Sequence, residues 1–195
     1  MARTLAADFE QRREAIIDKA AELFAERGFL GTSIADIAAA CNMSKSLIYH
    51  YYGSKEDILY SAMATHIEGL SAAAKLAVAA GGSAEDVLRR LARQFMALYV
   101  GAAARHKVLL NDLESLPADR KAIIVGQQRG LIKTVESLFI TIWPDITRKK
   151  GVVRAKTMLF FGMINWTHTW FHAEGPITPA DIADLACDHI LAVRD

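Results

Sequence analysis

Cysteine is scarce in this chain: Cys41 and Cys187 are the only two in 195 residues. Two thiols so far apart build no disulfide framework and show no zinc-ligand spacing, and they fit a reducing compartment. Proline is scarce as well, with four residues, and no stretch sustains the apolar–polar alternation of a half-buried strand. Charge of one sign is missing too. Lys plus Arg is 23 and Asp plus Glu is 22, a net charge of +1. That balance excludes a protein that coats nucleic acid by bulk charge, so any DNA contact has to come from a local patch. No apolar run is long enough for a membrane span, because Lys75, Arg93 and Lys107 interrupt the Ala-rich stretches. The segment MARTLAADFEQRRE has no apolar centre of the kind a secretory signal needs, so the expected location is the cytoplasm and no membrane partner is expected. There is no GxGxxG, P-loop, GxSxG or HExxH, so no catalytic, cofactor-binding or metal-binding residue is expected. His168 and His172 are spaced four apart, yet no third ligand accompanies them.

What the chain has in quantity is helix-forming apolar sequence. Apolar residues make up 52%, enough for a substantial core. Between breaks at Gly28/Gly31, Gly53, Gly81-Gly82, Pro117, Pro144, Gly151 and Gly175-Pro176, apolar residues recur at helical spacing. The pattern predicts an all-α fold of about nine helices, near 8–27, 33–40, 44–51, 54–80, 83–102, 104–115, 118–143, 151–173 and 178–193. Ser33/Asp36, Ser54/Asp57, Ser83/Asp86 and Thr178/Asp181 each read as an N-cap with an acid three residues on. Pro179 falls at a first helical position, where proline is best tolerated.

The first third is the most specific. Ile37, Cys41, Met43, Ile48 and Tyr51 are spaced to close a small core, with Ala38 small where two helices cross. Asn42 falls in the short connection, where a left-handed backbone suits Gly best and Asn next. Ser44 can cap the following helix. This is a helix-turn-helix, whose second helix is shaped for the DNA major groove. Lys45, Ser46, Tyr49 and His50 remain outside, the first two at the end that reaches base edges. Tyr49, His50 and Lys55 can bond phosphate, Thr32 and Ser33 can offer hydroxyls and N–H groups to another phosphate, and Arg3 can follow DNA as part of an arm. Ser44 and Tyr51 complete the set of candidate DNA-contacting residues. Residues 1–60 hold seven basic and nine acidic side chains, a formal charge of −2, but from Cys41 to Lys55 there are two lysines and no acid.

The stretch GFLGTSIADIAAACNMSKSLIYHYYGSKEDIL, Gly28 to Leu59, resembles the DNA-binding domain of TetR-family transcriptional regulators. Asn42 stands where that family usually has Gly, and Ser46 where Gly is common. The resemblance implies a homodimer with a helix-turn-helix DNA-binding domain over 1–53 and a helical ligand-binding and dimerisation domain over 54–195. It also implies double-stranded operator DNA as partner, repression as the mode, and a tilt of the helix over 54–80 as carrier of a ligand signal. The dimer is expected to form through 151–173 and 178–193 as a four-helix bundle. Those segments fit: Leu159 to Phe171 is apolar nearly all round and needs cover on more than one side.

Asn165 and His168 lie in that apolar helix with Met163, Trp166 and Trp170, a typical mix for a ligand pocket and equally for a satisfied core. His106, Asn111 and Glu114 are placed to line a pocket mouth. The segments Leu109–Pro117, Gly162–Trp166 and Phe171–Pro176 resemble the C-terminal domain of TetR-type regulators of acyl-CoA catabolism, most of all those of phenylacetate degradation. The effector so implied is a CoA thioester such as phenylacetyl-CoA. The basic groups Arg148, Lys149, Lys150, Arg154, Lys156 and Arg89, Arg90, Arg93 can meet its phosphates or be plain solvated surface. Three alternatives stay open: a TetR-type repressor answering another apolar or aromatic molecule, a helical enzyme acting on thioesters, and an architectural DNA protein.

Overall fold

The computed structural model describes residues 2–148 and 150–192, with side chains from residue 7 onward. Arg3's side chain, Lys149 and Val193 therefore lie outside the description. Among the described residues there are nine α-helices and no strand: α1 (Ala2–Arg27), α2 (Ile34–Ala40), α3 (Lys45–Tyr51), α4 (Lys55–Ala79), α5 (Ala84–Gly101), α6 (Ala103–Asn111), α7 (Ala118–Ile142), α8 (Val152–Asn165) and α9 (Pro179–Ala192). Short 3-10 turns follow α6 at Leu113–Ser115, α7 at Pro144–Arg148 and α8 at Trp166–Thr169.

The starts follow from the caps. Ser33 and Ser83 form reciprocal capping boxes with Asp36 and Asp86. Thr178 exchanges the same bonds with Asp181 ahead of Pro179. Ser54 Oγ accepts from the Asp57 N–H at 3.1 Å. Each satisfies a donor that the first helical turn leaves orphaned. At the end of α1, Gly28 takes φ 76° and its N–H closes on the Phe24 carbonyl at 2.8 Å, the left-handed stop that glycine favours.

Two helices end earlier than their apolar pattern predicts. The expected helix over 151–173 is α-helical only to Asn165. There Thr167, His168 and Thr169 each turn a side-chain atom to the carbonyl three residues back, at 2.6, 2.8 and 2.8 Å. Three consecutive side-chain bonds of this kind compete with the α-helical ladder and tighten it into a 3-10 turn. His168 and His172 consequently do not share a helix face. Likewise α6 stops at Asn111, and the Asp112 carboxylate is drawn to the Phe29 N–H at 3.3 Å. Helix α1, by contrast, begins at Ala2, ahead of the expected Asp8.

The chain forms two compact units, neither continuous in sequence. One reaches His66 and includes Ala104–Ile124, and the other takes Ile67–Ala103 and the chain from Val125. The first unit packs α1, α2, α3 and the start of α4 around Ile16, Ala20, Phe24, Ile37, Ile48, Ile58, Leu59 and Met63, all essentially inaccessible to solvent. Tyr52 rather than Tyr51 is the buried ring. Its hydroxyl donates to the Arg13 carbonyl at 3.3 Å, and the Arg13 guanidinium lies 5.1 Å from its centroid. Arg105 of α6 bridges Glu14 and Asp18 of α1, and Arg120 of α7 pairs with Asp57 of α4. His66 and His106 meet in the interior, Nε2 to Nδ1, at 3.1 Å. Burial, and then the charge of Arg105, bring the His66 imidazolium down to about 4.

In the second unit α5 and α9 share the most extensive packing. Arg89 pairs with Asp188 and Arg93 with Asp184, an order that makes the two helices antiparallel. Beneath them Leu88, Phe95, Met96, Phe160, Phe161, Ile164, Ala183 and Cys187 fill the core.

Candidate nucleic-acid interface and ligand groove

Helix α3 is held from both ends. Ser44 caps it by accepting from the Leu47 N–H at 3.2 Å, and the Tyr52 N–H closes it on Ile48. Before it, Asn42 adopts φ 52°, the left-handed connection that lets α2 and α3 cross. Ile48 anchors the inner face, and Leu47 and Tyr51 are half-buried. Lys45, Ser46, Tyr49 and His50 face solvent. Ser46 Oγ is 2.9 Å from Ser44 Oγ. Tyr51 leans on Phe9 with centroids 4.8 Å apart, and His50 meets the edges of both rings. The result is a short helix whose outer side carries one cation, two hydroxyl groups and an imidazole, with no carboxylate from Cys41 to Lys55. Such a surface can donate to phosphate and base-edge acceptors without like-charge repulsion.

Three residues expected at phosphates are otherwise engaged. Thr32 is buried, and its hydroxyl lies within bonding distance of the Leu23 and Gly28 carbonyls at 3.3 and 3.0 Å. Both donors of Ser33, the N–H and the hydroxyl, go to the Asp36 carboxylate at 2.8 and 2.5 Å. The Lys55 ammonium donates to the Phe29 and Thr32 carbonyls, each at 2.8 Å, and sits 4.1 Å from the centre of the Phe29 ring. The sequence shows the cation but not the two carbonyls that the turn after α1 brings to it. Lys55 therefore locks the turn that precedes α2.

The second unit carries a solvent-open groove of about 760 Å³ between the later part of α4 and α7. Its apolar floor includes Ala74, Leu131 and Leu138, and its polar walls are Ser71, Lys75, Gln127, Thr134, Ser137 and Thr141. None of the candidate ligand residues lies in it. A signal was present in the sequence: Gln127, Gly130, Thr134, Ser137 and Thr141 recur at three and four residues, a small polar stripe on one helix face.

A model of the tetR family of bacterial regulatory proteins matches residues 16–62. A model of the tetracyclin repressor-like C-terminal domain matches residues 81–193, more than half the chain. A TetR-family transcriptional regulator from Bordetella parapertussis is similar in structure, with a TM-score of 0.89 and 34% identity over 94% of this chain and 97% of that one. The chain belongs to the TetR family of bacterial regulatory proteins.

Two further TetR-type proteins are similar along most of their length. The transcriptional repressor KstR2 of Mycobacterium tuberculosis is 29% identical over 91% of this chain and 90% of its own. AibR, whose crystal structure holds isovaleryl coenzyme A and operator DNA, superposes with a TM-score of 0.79 and 26% identity, covering 91% of this chain and 97% of that one. Other curated regulators match over shorter segments, and the chain spans between 18% and 55% of their length.

Within this TetR fold the eight candidate effector residues divide between the two units. His106 is buried against His66, not at a pocket mouth. Asn111 and Glu114 are exposed on the first unit, where Glu114 pairs with Lys121. Met163, Asn165, Trp166, His168 and Trp170 belong to the second unit. Trp166 and Trp170 are 65% and 48% exposed, so the early end of α8 turns these rings outward. The Asn165 Oδ1 is buried and has no hydrogen-bond partner among the described residues. Both basic groups are also largely engaged. Arg148 pairs with Asp145 and Arg154 with Glu136, and Lys156 is buried 4.3 Å from the Trp143 centroid. Arg89 and Arg93 hold α9, and Arg90 donates to the Ala77 and Gly81 carbonyls. Among the described residues no cluster of three or more His, Cys, Asp or Glu could hold a metal, and no helix is long and apolar enough to cross a membrane.

Proposed function

We propose that the protein is a homodimeric repressor that reads operator DNA through α3 and is released from it by a CoA thioester with an apolar acyl group, such as phenylacetyl-CoA. The carrying observation is the capped α3 with Lys45, Ser46, Tyr49 and His50 outward in an acid-free stretch. Lys45 and Ser46, at the helix start, are the base-reading residues, and Tyr49 and His50 set the register on the backbone. Ser44, Tyr51 and Lys55 act one step back, fixing the start, the flank and the preceding turn. The functional division remains 1–53 for DNA and 54–195 for effector and dimer.

The dimer reading is supported by the surface of 151–173 and 178–193. Met158, Leu159, Trp166, Trp170 and Leu185 are between 48% and 65% exposed, large apolar side chains left for a partner to cover. A two-fold seam there would pair α8 and α9 with their copies. Repression and the thioester are supported by the similarity to a named repressor and to a regulator crystallised with isovaleryl coenzyme A and operator DNA.

Titration of the protein bound to its own upstream DNA with phenylacetyl-CoA, isovaleryl-CoA, free phenylacetate and CoA tests the effector. Release by a thioester, with the acid and CoA inert, is the expected result. Tight binding that ignores all four compounds would remove the thioester from the account.

A further inference from the structure

Helix α1 carries its inward stripe past the end of the core. Ile16, Ala20 and Phe24 are buried, and about two turns before Ile16 the same face presents Phe9. Phe9 lies half-buried against the last turn of α3. Its ring centroid is 4.8 Å from that of Tyr51 and 6.1 Å from that of His50. Tyr51 and His50 are 5.5 Å apart in turn. The His50 ring stands nearly perpendicular to both others, at 88° and 79°, an edge-to-face arrangement that aromatic rings favour. Beside the cluster Arg12 pairs with Asp8 at 3.2 Å, and after Asp8 it is Tyr51 that acts most on its guanidinium.

What this cluster does follows from the length of α3. Seven residues are too few for a helix to hold itself in water. Ser44 fixes its start and the buried Ile48 its middle. The outward side chains of its last turn need support from another element. An exposed histidine has several staggered rotamers open to it. Choosing one at the moment of contact subtracts from binding free energy, and a ring held beforehand avoids that cost. We propose that Phe9 is a positioning residue for DNA contact: with Tyr51 it presets the His50 imidazole for a backbone phosphate, so that the first turns of α1 belong to the DNA-reading surface. This rests on α3 being the recognition helix, as proposed above, and extends that surface to a second element.

The test is a double-mutant cycle on the full-length protein. Fluorescence anisotropy reads its affinity, at low salt, for its own upstream duplex and for a scrambled duplex of equal length. Phe9→Leu keeps apolar bulk and removes the ring, Phe9→Tyr keeps the ring, and His50→Ala removes the imidazole. Phe9→Leu should weaken binding about three- to tenfold, the worth of an aromatic contact. The factor should be the same on both duplexes, because a phosphate contact carries no sequence information. Phe9→Tyr should bind like wild type. With His50 already replaced by Ala, Phe9→Leu should cost less than about twofold, the non-additivity expected when one residue acts through the other. Melting temperatures establish that each variant is folded, and Phe9→Met takes the place of Phe9→Leu in the cycle if the latter lowers stability.

Wild-type affinity in Phe9→Leu, the same loss with His50 already removed, a loss confined to the upstream duplex, or a Phe9→Tyr protein as weak as Phe9→Leu overturns the positioning role while the reading of α3 stands. A wild type that binds both duplexes equally removes the reading of α3 itself, and this inference with it, before a variant is needed.

Discussion

Mild acid should destabilise this protein through His66. In the native state its ring is buried against His106, with Arg105 nearby, and its imidazolium is brought from the ordinary 6.5 down to about 4. The unfolded chain binds a proton below the ordinary value, whereas the native state does so only near the depressed one. Between these values the unfolded state holds more protons, so stability rises with pH. The contribution is intact above pH about 6.5, falls progressively below it, and levels off below about 4. With 1.36 kcal/mol per unit of pKa difference, moving from about pH 7.5 to about pH 5 costs about 2 kcal/mol from this group.

Urea unfolding at the two pH values, on wild type and His66→Gln, reads the effect of the buried pair, since the titrating groups other than His106, which touches the replaced ring, are common to both. The wild type should lose about 2 kcal/mol more than the variant over that interval. Parallel losses would show that His66 does not titrate as a buried neutral ring, and the account of the α4–α6 packing would fail.

Three further outcomes follow. Lys45→Ala and Tyr49→Ala should each weaken operator binding by about 1–3 kcal/mol, with thermal stability and effector binding unchanged; unaltered DNA affinity in both would mean that α3 is not the reading helix. Asn42→Gly should fold at least as well as wild type, whereas Asn42→Val, forced to φ 52°, should lose about 1–3 kcal/mol of stability, read from denaturation curves. Leu185→Glu, on the exposed face of α9, should shift the protein from dimer to monomer in sedimentation, and a dimer that survives it would place the seam elsewhere.

Much of the fold was legible because local signals agreed. Ser33, Ser54, Ser83 and Thr178 mark starts by their own chemistry, and the first-turn acids reinforce three of the four as reciprocal boxes. The helix-turn-helix was legible because Asn42 and Ser44 constrain backbone, not merely polarity. What escaped depends on partners distant in sequence or on competition within a turn. Nothing in the residues around Lys55 shows that two carbonyls of the 29–32 turn converge on it. Tyr51 and Tyr52 are adjacent and chemically alike, and they part only in their distant partners, Tyr52 with the Arg13 carbonyl and guanidinium and Tyr51 with Phe9. The apolar pattern of α8 runs on to Phe171, but three side-chain bonds to carbonyls end the helix first. The groove was missed because a stripe of Gln, Gly, Ser and Thr on α7 is unremarkable until the later part of α4 is found facing it. The pairing of Ala104–Ile124 with the chain up to His66 depends on Arg105 and Arg120 finding acids on other helices.

The most direct measurement is the affinity of the purified protein for its own upstream duplex against a scrambled duplex of equal length, at physiological salt. An operator-reading dimer predicts at least about 10³-fold preference for the upstream sequence, reduced in Lys45→Ala. Equal affinity for both duplexes would contradict sequence recognition by α3 and, with it, the regulatory account.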